Sequence, residues 1–214
     1  MSILADAIII LVVLVNLKVL GSSRLVSCIR VVAFEGIVLG LLPPLADAGG
    51  LTPRMLLAAA ASMVLKGVVF PWLLMRAVRE SGARREVEPI IGYTTSLLAG
   101  VAMIGAALWM GDRLPMPVHA SHSMVLPAAF FTVMVGLFMI VSRKQAIMQV
   151  LGYLVMENGI YTFGMAMSES QPLMVELGIL LDVFMAVFVM GITIYHINRE
   201  FDHIDTDRMS ALKD

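Results

Sequence analysis

Residues 146–167, AIMQVLGYLVMENGIYTFGMAM, form an apolar run with a single carboxylate, Glu157, near its centre. A helix rises about 1.5 Å per residue, so about 20 apolar residues cross the roughly 30 Å hydrocarbon core of a bilayer. Strands of a transmembrane barrel would alternate polar and apolar residues, and this run does not. The segment therefore predicts a transmembrane helix that carries a charged group within the hydrocarbon.

Six further apolar runs of similar length occur along the chain, near residues 3–20, 24–44, 54–77, 89–110, 123–141 and 172–197. The chain has 214 residues, of which 59% are hydrophobic and only 14% are charged, against about 25% charged residues in soluble domains. These features predict an all-α polytopic membrane protein of about seven transmembrane helices. The helices form one domain, residues 1–198, which a polar tail at 199–214 follows.

The distribution of basic residues predicts the orientation of the helices. With seven spans, Arg54 and Arg113 flank the membrane on one side. Eleven basic residues flank it on the other, namely Lys18, Arg24, Arg76, Arg79, Arg84, Arg85, Arg143, Lys144, Arg199, Arg208 and Lys213. Basic residues concentrate in cytoplasmic loops. We therefore expect the N-terminus outside and the C-terminus and tail in the cytoplasm.

Four ionisable residues, Glu35, Lys66, Glu157 and Asp182, lie deep within predicted spans. Each is about ten to twelve residues from the start of its span, which places it within a turn or two of the bilayer midplane. A charge at that depth costs about 2.5–3.5 kcal/mol on insertion scales, so such residues usually have a function. We predict that the four form a row parallel to the membrane.

The sixth predicted span has the richest polar face. Tyr153, Glu157 and Tyr161 follow one another at intervals of four residues and so share one side of a helix. A column of phenol, carboxylate and phenol suits a proton relay. The alternative is a glutamate whose single hydrogen bond fixes helix packing. Nearby glycines allow either a close neighbouring helix or a locally irregular turn.

Consecutive spans run antiparallel, so Glu35 can face Lys66, and Glu157 can face Asp182. A Glu35–Lys66 ion pair could be a static pair without net charge. Alternatively, Lys66 within such a pair could accept and release protons. The first, fourth and fifth spans carry no acid at mid-depth. Asn16 is expected near the cytoplasmic end of the first span. These three helices are expected to be scaffold or contacts to partners.

Composition excludes several classes of function. The single cysteine, Cys28, excludes an internal disulfide and excludes iron–sulfur or nickel ligation by this chain alone. His119 and His122 have the spacing of a metal pair without an evident third ligand. The net charge of −1 gives no sign of nucleic-acid binding. We expect no cofactor in this chain.

Three stretches resemble a known family: QVLGYLVMENG at 149–159, VELGILLDVFMAVFVM at 175–190 and DTDRMSALK at 205–213. They are similar to component E of hydrogenase-4, a membrane subunit of formate hydrogenlyase-type, group 4 NiFe hydrogenases. LKGVVFPWLL at 65–74 also agrees with this family. The last two spans resemble the K-type subunit of complex I and the C-type subunit of Mrp antiporters. By this resemblance, Glu157 and Asp182 take the places of the two acids in those subunits.

The resemblance implies a subunit of an energy-converting hydrogenase complex in the bacterial inner membrane. Its partners would be antiporter-like and quinone-site-like membrane subunits and a peripheral hydrogenase arm, with the NiFe and iron–sulfur centres in those partners. The chain would contribute to a midplane proton pathway, whose candidate residues are Glu35, Lys66, Glu157, Asp182, Tyr153 and Tyr161. Two alternatives remain open: a small stand-alone ion transporter or antiporter, and a non-conducting assembly scaffold.

Overall fold

A computed structural model describes residues 3–41, 53–80, 90–113 and 124–167, together with Gly191. Every regular element within the first four ranges is a helix, so the predicted all-α class is confirmed. These ranges contain the α-helices α1 (Ile3–Leu20), α2 (Leu25–Gly40), α3 (Pro53–Val64), α4 (Phe70–Glu80), α5 (Tyr93–Arg113), α6 (Val125–Ser142) and α7 (Ala146–Met167). A π-helical turn, Leu65–Val69, joins α3 directly to α4.

Three stretches of helix are long and apolar enough to cross a membrane: Ala59–Arg79, Tyr93–Gly111 and Val125–Ser142. The first of them runs from α3 through the π-helical turn into α4. The chain is thus a membrane protein, whereas its count of seven spans and its orientation remain predictions. The last predicted span, 172–197 with Asp182, and the tail at 199–214 lie outside the described residues apart from Gly191.

The helices α6 and α7 form the closest-packed pair that the structure describes. A Cβ atom on Gly136 of α6 would overlap the backbone nitrogen of Met156 and would lie 2.6 Å from the carbonyl oxygen of Gly152. A Cβ atom on Gly159 would lie 2.6 Å from the backbone nitrogen of Val133. Small residues let two helix backbones touch in a membrane. Gly152 and Gly159 of the sixth predicted span therefore serve close packing.

The helix α2 packs in the same way against the segment that contains the π-helical turn. A Cβ atom on Gly36 would lie 2.6 Å from the Cβ of Lys66, and one on Gly40 would lie 2.6 Å from the Cγ of Met63. α2 also contacts α1 and α7. Glu35, which precedes Gly36, is thereby held among three neighbouring elements.

Arg143, between α6 and α7, is almost fully buried, with 1% of its surface exposed. Its Nη2 donates a hydrogen bond to the carbonyl oxygen of Leu20 at 2.9 Å, which is favourable at a helix C-terminus. The guanidinium also lies 5.4 Å from the centroid of the Tyr93 ring. Burial lowers the pKa of Arg143, while Tyr93 and Cys28 raise it. Arg143, one of the eleven basic residues that were predicted to flank the membrane, is therefore buried and binds the end of α1.

The glycine contacts give a testable prediction. We expect Gly136→Ala to lower the free energy of unfolding by about 1–3 kcal/mol, because the added methyl group meets backbone atoms that cannot move aside. Thermal unfolding of the full chain in detergent measures the change. Gly105→Ala in α5 is the matched control, because a Cβ atom there meets nothing within 4 Å. Equal stability of the two variants would contradict this account of the packing.

Candidate functional site

Buried polar side chains gather where α1, α2, the π-helical turn, α6 and α7 meet. Each is at most 7% exposed, although the surrounding residues are largely apolar. Burial of so many polar groups is costly unless they bind one another. The members of this polar cluster are Asn16, Glu35, Lys66, Thr132, Glu157, Asn158 and Thr162.

Lys66 is held by the polar face of α7. Its Nζ lies 2.9 Å from Oε1 of Glu157 and donates a hydrogen bond to Oδ1 of Asn158 at 3.1 Å. The same Nζ lies 5.5 Å from the centroid of the Tyr161 ring, within the range of a cation–π interaction. Thr162 donates to the carbonyl oxygen of Asn158 at 2.8 Å. The ammonium thus has a carboxylate, an amide and a phenol ring around it.

The π-helical turn is a local irregularity at Lys66 itself. The N–H of Phe70, the residue directly after the turn, donates to the carbonyl oxygen of Leu65, five residues earlier. Pro71 follows, and it has no N–H to donate to the carbonyl of Gly67, which disfavours a regular α-helix at this point. Such turns frequently occur at functional sites. An irregular turn beside Glu157 was one of two alternatives that its neighbouring glycines left open, and the structure instead has such a turn at its partner, Lys66.

Glu35 belongs to a second group of contacts that α1 and α6 complete. Nδ2 of Asn16 donates to Oε1 of Glu35 at 3.2 Å and to Oγ1 of Thr132 at 3.1 Å. The hydroxyl of Thr132 in turn donates to the carbonyl oxygen of Ala128 at 2.8 Å. Lys66 is close enough to act electrostatically on Glu35. The two groups of contacts therefore adjoin each other.

The Glu35–Lys66 ion pair considered in the sequence analysis does not form, because the ammonium of Lys66 binds Glu157 instead. The reason lies in the packing of α2. Gly36 contacts the Lys66 stem from Cβ to Cδ, so the stem passes along α2 and its ammonium reaches α7.

The six predicted pathway residues have different positions in the structure. Glu35, Lys66 and Glu157 are buried together, and Tyr161 lies beside them. Tyr153 is 41% exposed, so it lies at the outer surface of the chain. Asp182 lies outside the described residues. The i, i+4, i+8 spacing thus does not place both tyrosines at the ammonium.

Four members of the cluster were not among the predicted pathway residues, namely Asn16, Thr132, Asn158 and Thr162. Asn16 was expected near the cytoplasmic end of a scaffold helix, but it bridges Glu35 to α6. The connection between α1 and α2 is only four residues, 21–24, so α2 turns back along α1 and the two side chains meet. The available signal was a single amide within an otherwise aliphatic run.

Three side chains of this arrangement are of types that can take up and release protons. The arrangement combines two carboxyl groups, one amine and neutral amide and hydroxyl groups in a region that apolar side chains shield from solvent. In such surroundings the protonation state of each group depends strongly on the charge of its neighbours.

Comparisons with known proteins place the chain in a family. Residues 124–214 match the family model of NADH-ubiquinone/plastoquinone oxidoreductase chain 4L, and this segment contains Glu157 and Asp182. An uncharacterized protein of Mycobacterium tuberculosis is 32% identical over 205 residues, which are 94% of this chain and 92% of that protein. Hydrogenase-4 component E of Escherichia coli K12 and that of Shigella flexneri are each 24% identical over 160 residues, 75% of this chain and 74% of theirs. The chain belongs to the family of this mycobacterial protein and is a homologue of hydrogenase-4 component E.

The predicted resemblance is therefore confirmed, both for component E and for the K-type subunit over the C-terminal region. No solved structure matches the chain.

The buried ion pair gives a second prediction. We expect Lys66→Met to lower the free energy of unfolding by about 3–5 kcal/mol, because it leaves the Glu157 carboxylate buried without its cation. The double variant Lys66→Met, Glu157→Met should recover much of that loss. Unfolding of the full chain in detergent measures both.

Arg30→Met is the control for this experiment, because Arg30 is an exposed cation on α2. We expect it to change stability by no more than about 0.5 kcal/mol. A double variant as unstable as the single one would show that Lys66 acts through its packing rather than its charge.

Proposed function

We propose that the chain is a non-catalytic membrane subunit of a respiratory-type hydrogenase complex and that it conducts protons laterally within the membrane. The similarity to hydrogenase-4 component E supports the first part. The observation that carries the second is the buried Lys66–Glu157 ion pair at 2.9 Å, with Glu35 beside it. A cluster that served packing alone would not need three ionisable groups in a largely apolar core.

In this proposal Lys66 is the central group of the pathway. Its ammonium binds Glu157 on α7, and it stands close enough to Glu35 on α2 to respond to the charge of that residue. Protons move between the two acids as the lysine changes partner. Tyr161 lines the route beside the ammonium. Asp182 is the next acid of the pathway, and Tyr153 assists at its outer side.

The redox chemistry takes place in other subunits. The complex is of the formate hydrogenlyase type, and its NiFe and iron–sulfur centres are held by a peripheral hydrogenase arm. Within the bacterial inner membrane, this chain lies between a quinone-site-like subunit and an antiporter-like subunit. Reduction and oxidation in the arm change the charge at one end of the row, and the protons in the row move in response.

Purification of the chain in mild detergent tests the assembly. We expect it to co-purify with hydrogenase subunits and an antiporter-like membrane subunit, which mass spectrometry identifies. Recovery of the chain by itself, together with ion transport by that chain alone in lipid vesicles, would support a stand-alone transporter and overturn the proposal.

Substitution of the acid on α7 tests the pathway. In membranes that contain the complex, Glu157→Gln should leave hydrogen evolution with an artificial electron donor largely intact, because the redox centres are elsewhere. Ion translocation per hydrogen evolved should fall strongly, because the glutamine side chain does not exchange protons. Inverted vesicles with a pH-sensitive dye measure translocation.

Arg30→Gln is the matched control, because it removes an exposed charge from α2. We expect it to preserve both hydrogen evolution and translocation. If Glu157→Gln lowers only the yield of the complex, and the surviving complexes translocate normally, the cluster is an assembly scaffold and the pathway is excluded.

A further inference from the structure

The hydrogen bonds of Asn16 fix the orientation of its side-chain amide. Thr132 gives its only hydroxyl hydrogen to the carbonyl oxygen of Ala128, so its Oγ1 can only accept from Asn16. The group of Asn16 that faces Thr132 must therefore be the NH2 group. The second hydrogen of the same NH2 group goes to Oε1 of Glu35. Both amide hydrogens are thus used, and Oδ1 of Asn16 is left as an acceptor.

Two buried acceptor atoms remain in this group of contacts. Among the described residues, neither Oδ1 of Asn16 nor Oε2 of Glu35 has a hydrogen-bond partner, and both atoms are closed to solvent. Asn16 is 0% exposed and Glu35 is 1% exposed. If Glu35 were ionised, both atoms would be acceptors facing no donor, and one would carry part of a negative charge. Buried groups of this kind are costly to leave unpaired.

We infer that Glu35 carries a proton on Oε2 and donates it to Oδ1 of Asn16, so that the two side chains form a neutral acid–amide pair that stores a proton. A carboxylic acid and an amide bind each other through two complementary hydrogen bonds. One of them, from Nδ2 of Asn16 to Oε1 of Glu35, is already in place at 3.2 Å. One hydrogen on Oε2 completes the other and satisfies both remaining atoms.

The charges around Glu35 agree with this assignment. The described charged group that acts on Glu35 is Lys66 of the π-helical turn, and Lys66 is already bound to Glu157 of α7. The other polar side chains near Glu35 are Asn16 of α1 and Thr132 of α6, and both are neutral. With Glu35 protonated, the buried cluster holds one cation and one anion and has no net charge. With Glu35 ionised, it would hold an uncompensated negative charge, which apolar surroundings strongly disfavour.

A charge-neutral transfer follows, and this step rests on the proposed function. The proton leaves Oε2 of Glu35 and reaches the carboxylate of Glu157, while the ammonium of Lys66 moves from Glu157 to Glu35. One proton crosses from α2 to α7, one ion pair breaks and another forms, and the net charge of the cluster stays at zero. Asn16 acts as a positioning residue, because it holds Glu35 in its protonated state until Lys66 arrives.

Infrared spectroscopy of the full chain in lipid nanodiscs tests the stored proton directly. At neutral pH we expect a carbonyl-stretch band of a protonated carboxylic acid that shifts in heavy water. Glu35→Gln should abolish this band, whereas the double variant Lys66→Met, Glu157→Gln should preserve it, because it removes the ion pair without changing the net charge around Glu35. Asn16→Leu should shift it to higher frequency, because the acid carbonyl loses its hydrogen bond from Nδ2.

Glu35→Asp keeps a carboxyl group and serves as a second variant if Glu35→Gln fails to fold, as judged by circular dichroism and gel filtration. It should shift the band without removing it. Absence of any band that depends on residue 35 would overturn the inference. So would loss of the band when sodium replaces potassium at constant pH, because a cation rather than a proton would then occupy the pair. If the unsubstituted chain has the band but the complex with Glu157→Gln translocates ions normally, only the proposed function is refuted.

Discussion

The rest of the structure depends on one interaction, the ion pair between the Lys66 ammonium and the Glu157 carboxylate inside an apolar helical core. Removing two ions from water costs several kcal/mol each, and their attraction repays this only with good geometry and further hydrogen bonds. The nitrogen of Lys66 and the oxygen of Glu157 lie 2.9 Å apart, and Asn158 accepts a hydrogen bond from the same ammonium. The pair therefore requires α7 and the π-helical turn to stay in one relative position.

Glycine makes that position available. Lys66 reaches α7 because Gly36 lets its stem pass closely along α2, and Glu157 lies on a helix that Gly136, Gly152 and Gly159 draw tightly against α6. Lipid provides no hydrophobic drive between helices, so association depends on close packing and on polar contacts. In this chain, close packing and polar contacts favour the same association of helices, because the glycines that let the helices pack closely also bring the side chains of the polar cluster together.

The sequence was sufficient to predict what depends on hydropathy and depth. It predicted the all-α membrane class, and it singled out Glu35, Lys66 and Glu157, which the structure buries in one cluster. It did not predict which of these side chains pair, because a linear pattern records depth along a helix but not the lateral neighbours of that helix. For the same reason, Asn16 was assigned to a scaffold helix and Arg143 only to the basic residues that flank the membrane, whereas both contact residues far away in the chain.

A lysine between two acids solves a problem that a row of acids alone would not. If each acid in an apolar layer were ionised in turn, every transfer would pass through a state with a bare buried charge. When an ammonium accompanies the ionised acid, each state has the same net charge, and the barrier reflects the rearrangement of one ion pair rather than its desolvation.

Such a transfer requires the lysine to stand within reach of both acids and to have room to change partner. Lys66 meets the first condition through its contact with Glu157 and its electrostatic interaction with Glu35. In the proposed pathway we expect the second condition to be met at the π-helical turn that contains Lys66, because the backbone departs there from the regular helix on either side.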